Sequence, residues 1–220
     1  MERRYSRVEV RAETAPDGRP SLVGHAAVFN RISKPIPTKN GSFREKLHPK
    51  VFDRALRSSA YHTVVANVEH DNNRILGTTR AGSLELKTDN VGLHVRCYPD
   101  LRVSYCADAY HQVQNGNIRS MSFAFALPED DDDSEDWEDA EENGERFALR
   151  TVNDCNLYDV SFVNNGAYDA AWCDSRALFP SGCPAGLEAR SAGGVIIPSR
   201  SQVSESEERR LRMRRLRNSL

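Results

Sequence analysis

Short alternations of apolar and polar residues recur along most of this chain, while apolar residues at helical spacing are confined to a few stretches. That pattern predicts a mainly β, α+β protein with flanking helices. The clearest alternation is 117–126, Asn-Ile-Arg-Ser-Met-Ser-Phe-Ala-Phe-Ala. Met121, Phe123 and Phe125, together with Ile118, supply bulk, and Ser120, Ser122, Ala124 and Ala126 leave the opposite pleat face small. A small face lets another backbone lie close, and Ser122 stands in the middle of it.

The remaining elements come in chain order. Residues 5–12 read as a strand with Tyr5, Val8 and Val10 as its apolar members, turned by Pro16-Asp17-Gly18 into a second strand over 22–29. Pro35, Pro37 and Asn40-Gly41 mark 30–46 as a surface loop. Pro49 suits the first turn of a short helix whose stripe is Val51, Phe52, Ala55 and Leu56. The β-branched run 63–68 reads as a buried strand ending in the polar cluster Glu69-His70-Asp71-Asn72-Asn73, which leaves His70 at the mouth of a sheet. A hairpin is expected from 83–87 and 93–98 around Asp89-Asn90-Val91-Gly92. Asp100 is the expected cap of a helix carrying Leu101, Tyr105, Ala109 and Val113, which Asn115-Gly116 ends in a left-handed cap. Strands resume over 146–152 and 157–163. In the second, Asp159 is a carboxylate inside an apolar run, where a partly buried charge needs a partner.

Charge separates the core from its appendages. The net charge of −2 averages an acidic block over 129–142 and an Arg-rich block over 209–217. The acidic block is too self-repelling to fold alone and is expected as a solvated insertion between strands, 128–145, within a domain spanning 1–180. Gly, Pro, Ser and Ala dominate 181–204, a flexible linker, and 205–220 is an Arg-rich tail or short helix. Ser204 and Glu207 form a capping box there, with Leu211, Met213 and Leu216 as its apolar anchors. Such a tail would dock on an acidic partner or contact nucleic-acid phosphates. The five cysteines are odd in number and none is closely paired, which points to reduced thiols. No apolar run reaches about 18 residues, so a soluble intracellular protein, with no membrane contact and no export, is expected.

Three residues stand apart chemically: His70 in a turn beyond a strand, Ser122 on a small-faced strand, and Asp159 within a strand. A serine nucleophile needs a base to take its proton and an acid to orient that base, and geometry rather than chain order assigns these roles. Asp71 and Glu69 compete for the acid role, but side chains adjacent to a histidine seldom orient its ring well, so Asp159 ranks first. His25 lies among Gly24, Ala26 and Ala27 and reads as a packed histidine rather than a supporting contact. A metal at His70 and Asp71 has no His-x-x-x-His or Cys pair behind it, and neither a nucleophile elbow nor a phosphate loop is present. No cofactor and no metal are expected.

The chain resembles the prohead, or capsid maturation, proteases of tailed bacteriophages. The blocks that carry the resemblance are Gly24-His25-Ala26-Ala27-Val28-Phe29-Asn30, Phe43 with Val51-Phe52, Asn67-Val68-Glu69-His70-Asp71 with Ile75-Leu76-Gly77, and Gly92-Leu93-His94-Val95. They continue with Gly116, Arg119-Ser120-Met121-Ser122-Phe123-Ala124-Phe125, Asp159-Val160-Ser161-Phe162-Val163 and Ala167-Tyr168. The resemblance implies a serine endopeptidase with an assemblin-like, closed or partly closed β-barrel. Its functional residues fall on His70, Ser122 and Asp159, where the family commonly carries glutamate. Asp159 is shorter by one methylene, which makes its reach to His70 the weakest link. Asn164-Asn165-Gly166 replaces a Pro-containing approach, and the acidic block lengthens a connection that is often shorter. The resemblance further implies action inside the assembling procapsid in the host cytoplasm. The expected partners are the major capsid protein and scaffold as substrates, with self-cleavage, homo-oligomerisation and a tail contact to nucleic acid left open. The rival classes are a non-enzymatic scaffold or internal capsid assembly protein and a nucleic-acid-binding module.

Overall fold

In the computed structural model, residues 1–6, 10–38, 41–57, 62–129 and 131–164 are described; the linker and tail expected after residue 180 lie outside them. The chain forms β1 (Glu2–Ser6), β2 (Arg11–Thr14), β3 (Pro20–Val28), β4 (Ile36–Thr38), β5 (Gly41–Leu47), α1 (Asp53–Arg57), β6 (Val65–Val68) and β7 (Asp71–Thr78). It continues with β8 (Leu84–Thr88), β9 (Gly92–Cys97), α2 (Ser104–Gln114), β10 (Ser120–Ala126), β11 (Glu135–Glu142), β12 (Glu145–Val152) and β13 (Asn156–Val163). The mainly β expectation holds, but the barrel does not. The strands divide into three open sheets, β1-β10-β13-β6-β7, β11-β12-β5-β4 and β2-β3-β9-β8, and among the described residues no sheet closes on itself.

The principal core gathers Leu22, Leu93 and Val95 of the third sheet, Phe123, Phe125 and Phe162 of the first, and Phe52 beside α1. Phe52 meets Phe123 edge-on at 5.5 Å between ring centroids, and Phe123 stacks on Phe125 at 5.3 Å. Each such side chain taken from water contributes about 1.5–3 kcal/mol, enough to fix the face of β10 that carries it. A smaller cluster of Ile36, Phe43 and Ala148, with Trp137 against it, holds the second sheet.

Several expectations change, among them the polar turn cluster expected over 69–73, which turns only at Glu69-His70 while residues 71–73 open β7. The strand expected over 5–12 is two: β1 pairs with β10 in the first sheet, and β2 makes the hairpin with β3 in the third. The loop expected over 30–46 contains β4 and β5, because Ile36, Phe43 and Leu47 have a core to enter and Pro37 sits on an edge strand, where its missing N–H costs no ladder bond. Asp100 does not cap α2. It accepts hydrogen bonds from the backbone and guanidinium of Arg102, while Val103 occupies the cap with no side-chain bond.

The acidic block is the largest change. Glu135–Glu142 is β11, paired residue for residue with β12 through a two-residue turn, Asn143-Gly144, both at positive φ. Its repulsion is offset by cations brought from other strands: Arg150 on Glu135, Lys46 on Glu138, Arg146 on Glu141 and Arg44 on Glu142. Trp137 adds an apolar anchor on Phe43.

Candidate active site

Strand β10 runs between β1 and β13, with Ser122 opposite Ser161 and Ala124 opposite Asp159 on β13. Side chains of partnered residues stand on the same face, and residues two apart on one strand share it. Ser122, Ser161 and Asp159 therefore face one side together. Strand β13 also pairs in parallel with β6, so the end of β6 arrives beside the same patch.

Beyond β6 the chain reverses tightly. Val68 pairs with Asp71, and the two residues between them, Glu69 and His70, have φ of 53° and 57°. Positive φ at both central positions is the requirement of a type I′ hairpin turn, usually met by Asn-Gly. For residues with a Cβ each left-handed position costs roughly 1–2 kcal/mol, so outside contacts must hold this turn. They come from β13 and the residue just past it. The Phe162 carbonyl accepts the Glu69 N–H at 3.2 Å, Ser161 Oγ accepts the His70 N–H at 2.8 Å, and Glu69 Oε1 accepts the Asn164 N–H at 2.6 Å.

The imidazole then lies between the other two predicted residues. His70 Nδ1 is 2.7 Å from Asp159 Oδ1, and His70 Nε2 is 2.6 Å from Ser122 Oγ. An ionised carboxylate can only accept, so Nδ1 donates and the neutral ring presents Nε2 as acceptor to the Ser122 hydroxyl. All three are withdrawn from solvent, with Ser122 at 0 %, Asp159 at 5 % and His70 at 9 % exposure. In such surroundings a charge-assisted bond is stronger than in water.

The competitors for the acid role are occupied elsewhere. Asp71 accepts from the backbone and side chain of Asn73, which hold its carboxyl below the ordinary value, and Glu69 is the partner of Asn164. His25 bonds Asp89 at 2.8 Å and meets His94 edge-on, in a different sheet from His70.

Two features escaped the sequence. Ser161 meets the histidine backbone, and its only local signal was its place two residues from Asp159 on the same face. The second is a buried charge cluster beside β10. Arg150, 0 % exposed, bonds Glu135, Glu2 and Glu45, and Arg4 bonds Glu45 and Glu2 while lying 5.2 Å over the Phe125 ring. Burial alone would raise the Glu2 carboxyl, but the guanidiniums of Arg150 and Arg4 outweigh it and hold the group below its ordinary value. Burial likewise opposes the charge on Arg150, and the three carboxylates raise its pKa well above the usual one. Five charged residues from four strands of two sheets cannot be recognised from local spacing.

A serine hydroxyl bonded to an imidazole whose far nitrogen is held by a carboxylate is the arrangement by which serine hydrolases perform acyl transfer. The sequence matches the family model of the caudovirus prohead serine proteases over residues 6–178, and the chain belongs to that family. It is therefore a protease of the capsid-maturation class. No curated protein and no solved structure matches it.

Proposed function

We propose that this chain cleaves peptide bonds of the scaffold, of a scaffold-like arm of the major capsid protein, and of itself, inside the procapsid in the host cytoplasm, with Ser122 as nucleophile. What carries the reading is the continuous Ser122–His70–Asp159 run of hydrogen bonds at 2.6 and 2.7 Å. Family membership supports the substrate class, and among the described residues no helix is long and apolar enough to cross a membrane.

In this mechanism Ser122 Oγ attacks the scissile carbonyl as its proton passes to His70 Nε2. Asp159 holds Nδ1–H and stabilises the imidazolium that forms. The proton then goes to the leaving amine, whose C–N bond breaks, leaving an acyl ester on Ser122. Water, deprotonated by the same Nε2, releases the acid product and restores the hydroxyl.

The test is co-expression of the full chain with its capsid precursor, as wild type and as Ser122→Ala. The expected result is discrete cleavage products with the first and an intact precursor with the second, any residual rate being at most about 10³–10⁴-fold over water. Products of equal amount from both would remove Ser122 from the chemistry. An intact precursor with both would favour a non-enzymatic assembly role.

A further inference from the structure

We infer that Ser161 is a positioning residue, fixing the backbone of His70 so that its ring is aimed at Ser122. This rests on Ser122 as nucleophile and His70 as its base. In a two-residue hairpin connection the N–H of the second central residue points away from the ladder, yet a buried N–H needs an acceptor. Ser161 Oγ supplies one at 2.8 Å and passes its own hydrogen towards the Asn67 carbonyl at 3.4 Å. It is fully buried, in a row of the sheet between Ser122 on β10 and Asn67 on β6.

The alternation of β13 explains why this matters for aim. Asp159 and Ser161 stand two residues apart on one face, the first holding the imidazole at Nδ1 and the second holding the peptide from which that imidazole hangs. The ring meets Asp159 at Nδ1 and Ser122 at Nε2, and both contacts depend on where the backbone that carries the ring is held, which the bond to Ser161 helps to fix. Neither Glu69 nor His70 is glycine, so positive φ at both carries a cost, and contacts from β13 share in setting this orientation.

The test compares Ser161→Cys, Ser161→Ala and Ser161→Thr in the full chain, using purified capsid precursor as substrate and Ser122→Ala as a parallel control. Cysteine nearly preserves the volume but is a weak acceptor, alanine removes the acceptor, and threonine retains it. We expect kcat to fall about 10- to 100-fold for Cys and Ala, with KM within about twofold of wild type, as for a small misplacement of a catalytic group, and Thr to recover most of the rate. Parental kcat in Ser161→Cys, a loss appearing only in KM, or failure of both Cys and Ala to fold would each overturn the inference in favour of packing alone. If Ser122→Ala still cleaves, the nucleophile assignment falls instead; if it is inert while Ser161→Cys turns over normally, only the role of Ser161 falls.

Discussion

A serine hydroxyl is a weak nucleophile near neutral pH, and Ser122 differs from an ordinary strand serine in what its oxygen touches. The shortness of Asp159 relative to glutamate looked like the weak link, yet its carboxylate reaches His70 at 2.7 Å because Ser161, Phe162 and Asn164 draw the whole turn onto the strand that bears it. Asp159→Asn should keep the fold, since the amide fills the same space, and lower kcat by about 10⁴-fold by upsetting the tautomer, read as precursor cleavage beside a matched thermal melt. Unchanged cleavage would return the acid role to Asp71 or Glu69. His70 in a polar turn and Asp159 in an apolar strand were legible singly from their settings, whereas Ser122 by itself reads as an ordinary small strand residue and stands out only beside a base and an acid and through the family resemblance. Ser161 was not legible, because its partner is a backbone N–H set free by a turn geometry that the residues Glu69-His70 do not announce.

At the scale of elements, the hairpins were read where turn residues and alternation agree, as for β8 and β9. Gly92 closes that turn: a Cβ there would run into the carbonyl of Ala27 on the neighbouring strand β3. Gly92→Ala should therefore destabilise the chain by about 1–3 kcal/mol, measured by urea unfolding, as the backbone must shift where no flexible side chain can yield. Gly82→Ala, with open space around its Cβ position, isolates the separate cost of positive φ. Strand β11 was missed for the opposite reason. Its composition predicts repulsion, and the cations that relieve it, Arg44, Lys46, Arg146 and Arg150, come from β5 and β12. Asn143-Gly144 was the available local sign of its hairpin.

Across the whole molecule, the Arg150 cluster joins the sheet of the candidate site, through Glu2 and Arg4 of β1, to the sheet built on β5, β11 and β12. Arg150→Met removes one partner and leaves buried carboxylates facing one another, so a loss of about 3–5 kcal/mol in chemical denaturation is expected. The acid response follows from Glu2. Its folded pKa lies below the ordinary 4.5, so its contribution is complete above that value and is lost as pH falls through the lowered folded one. Glu2→Gln should flatten the acid limb of stability in a urea series stepped down through the carboxylate range; an unchanged slope would show that Glu2 does not carry it. The sequence by itself determined the mainly β character, most strand positions and the three residues that meet at the candidate site, because alternation, turn chemistry and residue type act over a few neighbours. Whether the sheets close, where the acidic strand finds its cations and what steadies the histidine were decided only in the tertiary structure, because each depends on groups from distant strands that share no local pattern.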